Sequence, residues 1–113
     1  MTTIKNITSK STQTKVFNSI MADMNNAFKY RTEYQIKEST LGNSREVYVT
    51  NMDSFFGNIY SCTLTKMIET VKPYCERYNN VYFCIETRTI LTDKLEEVKV
   101  PAFVVCIGIK RKD

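Results

Sequence analysis

Four cysteines, scattered carboxylates and no histidine set the chemical limits of this 113-residue chain. Without an imidazole there is no Ser-His-Asp or Cys-His nucleophile, no HExxH zinc site and no C₂H₂ finger, because each uses histidine as base or ligand. Cys62, Cys75, Cys84 and Cys106 form no CxxC pair, whereas Cys₄ zinc sites draw their ligands in close pairs. The cysteines therefore read as small hydrophobes with free thiols.

The carboxylates carry one motif-like arrangement. Glu86-Thr87-Arg88, with Asp53 upstream, approaches the D…ExK spacing in which two or three carboxylates converge on a cation beside a lysine. Here arginine stands in the lysine position, and a guanidinium does not shuttle protons. The plainer reading is a solvated Glu/Arg face of a strand. Gly42, Gly57 and Gly108 are isolated, so no phosphate-cradling loop or dinucleotide fingerprint can form. The chain is expected to have no catalytic residue, no cofactor and no metal.

Binding chemistry is better represented. Tyr30, Tyr34 and Tyr48 alternate with Lys29, Arg31, Lys37 and Arg45. A sheet that presents tyrosines between cations holds single-stranded nucleic acid by stacking and charge. Tyr30 and Tyr34 also share strand parity with Ile36, which makes them equally suited to a core. Phe55 and Phe56 sit together before Gly57 in a polar stretch. Exposed aromatics of this kind dominate protein-binding hot spots. Residues 98–109 form a long strand-like run that is apolar at both parities. Apolar on both faces, it suits a central or covered strand; at a sheet edge it would instead invite a second chain to pair and offer a homodimer surface.

Charge and composition are permissive. The net charge is +4. Residues 1–52 hold seven basic and four acidic residues, and residues 53–113 hold nine and eight. The longest basic run is Lys110-Arg111-Lys112, less dense than the clusters with which duplex-DNA binders neutralise phosphates. Met1 to Ser11 contains no apolar leader segment. The apolar stretch Val100 to Ile109 is about half a membrane span. Together with the unpaired cysteines, this predicts a cytoplasmic protein that does not enter membranes. Enrichment in Lys, Asn, Ile, Thr and Tyr matches AT-rich coding, common in phages.

The elements that must position these residues follow from periodicity. Val16, Phe17, Ile20, Met21, Met24, Ala27 and Phe28 mark one face of a helix. It should be capped by Ser11 or Thr12 and end near Asn25-Asn26. Tyr30 to Glu38 alternates as a strand, Leu41-Gly42-Asn43-Ser44 is turn chemistry, and Glu46 to Thr50 returns as a second strand. Leu64, Met67, Ile68, Val71, Cys75 and Tyr78 mark a second helix, with Pro73 inside it. The proline predicts a kink near Glu69 or a break at Lys72. Val81 to Leu91 and Val98 to Lys110 complete two more strands.

The expected order is α-β-β-α-β-β in a single α+β domain spanning 1–113. Residues 1–10 serve as an arm or an extra edge strand. The sheet has four or five antiparallel strands, with two helices on one face. Thr12-x-Thr14-Lys15 and Thr63-x-Thr65-Lys66 open the two helices 51 residues apart, a faint echo between the halves. The functional expectation is a small non-enzymatic interaction protein, of the kind a phage uses to bind and inhibit a host factor or defence complex. The alternative is a nucleic-acid-binding accessory protein that uses the Lys/Arg–Tyr hairpin.

Overall fold

The structure, a computed structural model, describes residues 5–31, 33–51, 59, 61–91 and 94–109. Helix α1 spans Lys10–Ala27, strands β1 and β2 span Tyr34–Leu41 and Ser44–Asn51, helix α2 spans Ser61–Arg77, and strands β3 and β4 span Val81–Leu91 and Glu97–Ile107. This is the expected α+β order. The antiparallel sheet runs β1-β2-β4-β3, so each αββ half contributes one outer strand and one inner strand. The halves meet where β2 pairs with β4, from Arg45 opposite Ile107 to Thr50 opposite Ala102.

Boundaries differ from the periodicity for local reasons. Ser9, not Ser11 or Thr12, caps α1: its hydroxyl accepts from the Thr12 backbone N–H at 3.3 Å. The helix also runs past Asn25, whose side-chain amide donates to the Met21 carbonyl at 2.9 Å and remains within the helical pattern. β1 starts at Tyr34 rather than Tyr30. The Arg31 N–H closes a turn onto the Phe28 carbonyl at 2.9 Å, so Tyr30 and Arg31 belong to that turn. Helix α2 is continuous through Pro73, and the break at Lys72 does not occur. Packing holds both sides of the proline. Met67 and Val71 are buried before it, and the Tyr78 N–H resumes the ladder to the Tyr74 carbonyl at 2.9 Å after it.

Among the described residues, the segment before α1 is an arm rather than a fifth strand. Lys5 makes a single parallel bridge to Tyr78. The bridge exchanges bonds of 2.9 Å with the Arg77 carbonyl and the Asn79 N–H. Two residues on, Ile7 is fully buried, and its N–H donates to the Asn80 side-chain oxygen at 2.9 Å.

Both helices lie on one face of the sheet. Val16, Phe17, Ile20 and Met24 of α1 and Met67 and Val71 of α2 form one core with Val47, Val49, Phe103, Val105 and Ile107. Gln13 is the polar member of this layer. Its buried side-chain amide donates to the Asn43 carbonyl at 2.7 Å and the Ile107 carbonyl at 2.8 Å. It thereby ties α1 to the first hairpin turn and to the end of β4. In that two-residue turn Gly42 has φ +61°, at the first central position, where type II′ turns need glycine.

Strand β4 is central, not an edge. From Ala102 to Ile107 it is paired on both sides, so the expected dimer through strand 98–109 has no free edge there. Pro101, which lacks a donor, marks where pairing to β2 stops. The apolar residues at both parities are explained by position. Phe103, Val105 and Ile107 face the helices, while Ala102, Val104 and Cys106 form a second buried cluster on the other face.

Two outcomes follow. Gly42→Ala should cost about 1 kcal/mol in chemical denaturation. No atom lies near the added methyl, and the strain is in the backbone alone. Tyr74 on α2 donates to the Asp23 carboxylate on α1, and desolvation followed by this bond pushes its phenol up to about 12. Its folded pKa lies above the unfolded value of about 10, so its contribution is complete below pH 10 and is lost as pH rises toward 12. Absorbance titration at alkaline pH should show a late-ionising tyrosine component to which Tyr74 and Tyr82 both contribute, and Asp23→Asn should bring the Tyr74 part earlier.

Candidate functional site

Three places bring chemistry-bearing residues together. The first is the turn that follows α1. Phe28 is buried against Tyr34, ring centroids 6.1 Å apart, which throws the next residues outward. Tyr30 is 84% exposed, with the Lys29 ammonium 5.1 Å from its ring centroid. Arg31 pairs with Glu33 and lies 5.5 Å over Tyr34. Glu33 holds the Arg31 guanidinium above its ordinary range. A backbone N–H, then Arg31, hold the Glu33 carboxyl below its own. An open cleft of about 380 Å³ lies here, lined among others by Phe28, Tyr30, Arg31, Cys62, Thr63 and Lys66.

The second is the sheet face opposite the helices. Strand register places Glu46, Cys106 and Tyr82 in one row and Tyr48, Val104 and Cys84 in the next. Arg88 crosses these rows. Its Nη2 donates to Glu46 at 2.8 Å and to Glu86 at 2.9 Å, and its guanidinium lies 5.3 Å over Tyr48. Ser39 adds a bond to Glu46 at 2.9 Å. Both carboxylates are thus occupied by one cation. The thiols beside them are pushed up, Cys84 by desolvation and then Glu86, and Cys106 chiefly by desolvation. Neutral thiols are weak nucleophiles. Among the described residues no three Cys, Asp or Glu side chains are placed to hold a metal.

The third is the outer edge of β3. This strand pairs only with β4 among the described residues. Val81 is buried under the helices, but the cover stops there. Phe83 stacks on Phe103 at 5.4 Å yet remains 37% exposed. Ile85 is 51% exposed, Tyr82 58% and Leu91 55%. Four large apolar side chains therefore lie in solvent along one unpaired strand edge.

The residues expected to form a nucleic-acid face are divided. Lys29, Tyr30 and Arg31 cluster in the turn. Tyr34 is buried in the core. Arg45 points to the helix side, its guanidinium 3.7 Å over the Phe17 ring. Lys37 and Tyr48 are register partners on the opposite face. The later start of β1 and the alternation of β2 separate them, so no single Lys/Arg–Tyr hairpin surface forms. Phe55, Phe56 and Asp53 lie outside the described residues, as do Lys110 to Lys112.

The edge residues Tyr82, Phe83 and Ile85 were not singled out by sequence. Val81 to Ile85 is an unbroken apolar run, the pattern of a strand buried on both faces, and only its place at the sheet edge leaves it exposed. Glu46 was missed because a lone glutamate in a strand looks like surface. No helix of the described residues is long and apolar enough to cross a membrane. Comparison with protein-family models, curated proteins and solved structures finds no match.

Arg88→Ala should destabilise the fold by about 2 kcal/mol, because it strands the buried Glu46 carboxylate. Combined with Glu46→Gln, the loss should be smaller than the two single effects added together, as measured by a double-mutant cycle in urea.

Proposed function

We propose that this is a non-enzymatic protein-interaction module that binds through the outer edge of β3. The observation that carries the reading is the exposed Tyr82, Phe83, Ile85 and Leu91 along an eleven-residue strand that, among the described residues, has one free edge. Unpaired edge N–H and C=O groups add an incoming strand, and flanking apolar side chains give the contact its affinity. Natural sheets ordinarily blunt such edges with charge. The opposite edge, β1, shows this, with Lys37 and Glu38 exposed. On β3 the Phe83 to Ile85 stretch carries none. The engagement of Glu46 and Glu86 by Arg88, and the raised thiols of Cys84 and Cys106, support the non-enzymatic half of the reading. That the partner is a host factor of a phage rests on composition and gains nothing from the fold.

A second reading has one observation in its favour: the cleft beside Tyr30, with Lys29, Arg31 and Lys66 around it. An exposed tyrosine between cations suits the stacking of a nucleic-acid base. The cationic residues on this patch are few, so binding there should be weak and fall only shallowly with salt.

The test compares wild type with Ile85→Lys. Ile85 is half in solvent, so the change should leave the thermal midpoint within a few degrees. Immobilised wild type should retain a partner from its native cell extract that the variant does not. Equal retention by both proteins would overturn the edge. Gel shift on single-stranded DNA separates the second reading: micromolar binding at physiological salt, abolished by Tyr30→Ala, would put the cleft first.

A further inference from the structure

We infer that the β3 edge pairs with the β3 edge of a second copy of this chain, antiparallel and centred on Thr87. The inference rests on the reading of β3 as a docking edge and names its occupant.

Register selects the occupant. Two identical strands related by a two-fold axis normal to the sheet pair residue i with residue j of the same face, so the axis must lie midway between one residue and its own copy. On β3 the only charged residues are Glu86 and Arg88, one on each side of Thr87. Centring the pair on Thr87 sets Glu86 opposite the partner's Arg88 and Arg88 opposite the partner's Glu86, so each Arg88, already bridging Glu46 and Glu86 of its own chain, gains a second Glu86 across the seam. Cross-strand pairs of opposite charge stabilise a sheet, and like charges directly opposed destabilise it. Centring on Glu86 would oppose two glutamates. Centring on Arg88 would oppose two arginines. Centring on Ile85 would leave both charges facing uncharged side chains.

The same axis matches the apolar residues. Thr87 lies on the helix side of the sheet with Phe83, Ile85, Thr89 and Leu91, as the pairing to β4 shows. In this register Phe83 faces the partner's Leu91, and Ile85 faces the partner's Thr89. On the other face Cys84 meets the partner's Ile90. Phe83 and Leu91 thus cover each other's copies, Ile85 packs on Thr89, and Tyr82 stays outside the paired stretch. The result is one continuous eight-stranded sheet with helices on a single face. The β1 edge has no such self-match: Lys37 and Glu38 are adjacent, so they lie on opposite faces of the strand and cannot pair across an axis. The pairing surface lies not on β4, which would have offered one only at a sheet edge, but on its outer neighbour.

The experiment uses the full chain. Light scattering at about 100 μM should give twice the 13.2 kDa chain mass, and Ile85→Lys should give one chain mass with unchanged circular dichroism. Register is read by cysteine substitution in a Cys62→Ser background, which removes a solvent-exposed native thiol. Thr87→Cys should oxidise to a covalent dimer, because residue 87 meets itself across the axis within disulfide reach. Thr89→Cys, opposite Ile85, should stay monomeric on a reducing-agent-free gel. A single-chain mass at 100 μM with no Thr87→Cys cross-link overturns the self-pairing, and leaves the docking edge to be judged by partner retention. A dimer that persists in Ile85→Lys overturns the self-pairing, and the docking edge is again judged by partner retention. Cross-linking of Thr89→Cys in preference to Thr87→Cys overturns the register.

Discussion

The fold depends on burying β4 from both faces while only one face of the sheet carries helices. On the helix side this is straightforward. Phe103, Val105 and Ile107 sit in the layer built by α1 and α2. Each fully buried side chain of this size contributes about 1.5–3 kcal/mol of apolar transfer. On the other side Ala102, Val104 and Cys106 must be covered by the strands' own side chains. Tyr48 and Cys84 lie against them, and Arg88 bridges above, held by Glu46 and Glu86. One arginine thus links β2 to β3 across β4 and shields apolar residues with its stem.

That arrangement explains why the acidic residues are where they are. Glu46 is a buried carboxylate on an inner strand, normally a costly position. Arg88 and Ser39 satisfy it, and in return the guanidinium is fixed over Tyr48. The same bridge occupies the carboxylate of the ExR spacing. Chemistry that the sequence left open at Glu86 is, in the fold, a structural contact. The helix side has a parallel in Gln13, which joins the first helix to the chain's last strand.

The two halves are alike in architecture but unlike at their margins. Each contributes a helix and a hairpin, the inner strands pair, and the helices begin 51 residues apart. Yet β1 and β2 close in a two-residue turn, while β3 and β4 extend to eleven residues each. The helices cover β4 but not its outer neighbour β3 beyond Val81. That strand presents a row of apolar side chains to solvent, the surface on which the functional reading rests.

Periodicity by itself determined the order of elements, the buried faces of both helices, the first hairpin and the two-sided apolar character of β4. Each is a local pattern, because a helix or strand repeats its environment every few residues. Sequence also excluded histidine chemistry and glycine-rich phosphate loops outright. It could not decide which strand lies at the edge, since β4 and β3 are both apolar runs and pairing order is a property of the assembled sheet. It could not foresee that Arg45 and Lys37 would face opposite sides, that Tyr34 would be core while Tyr30 stands in solvent, or that Ser9 would cap α1. Those outcomes depend on where turns close and which neighbour arrives across the sheet, and only the tertiary structure sets that.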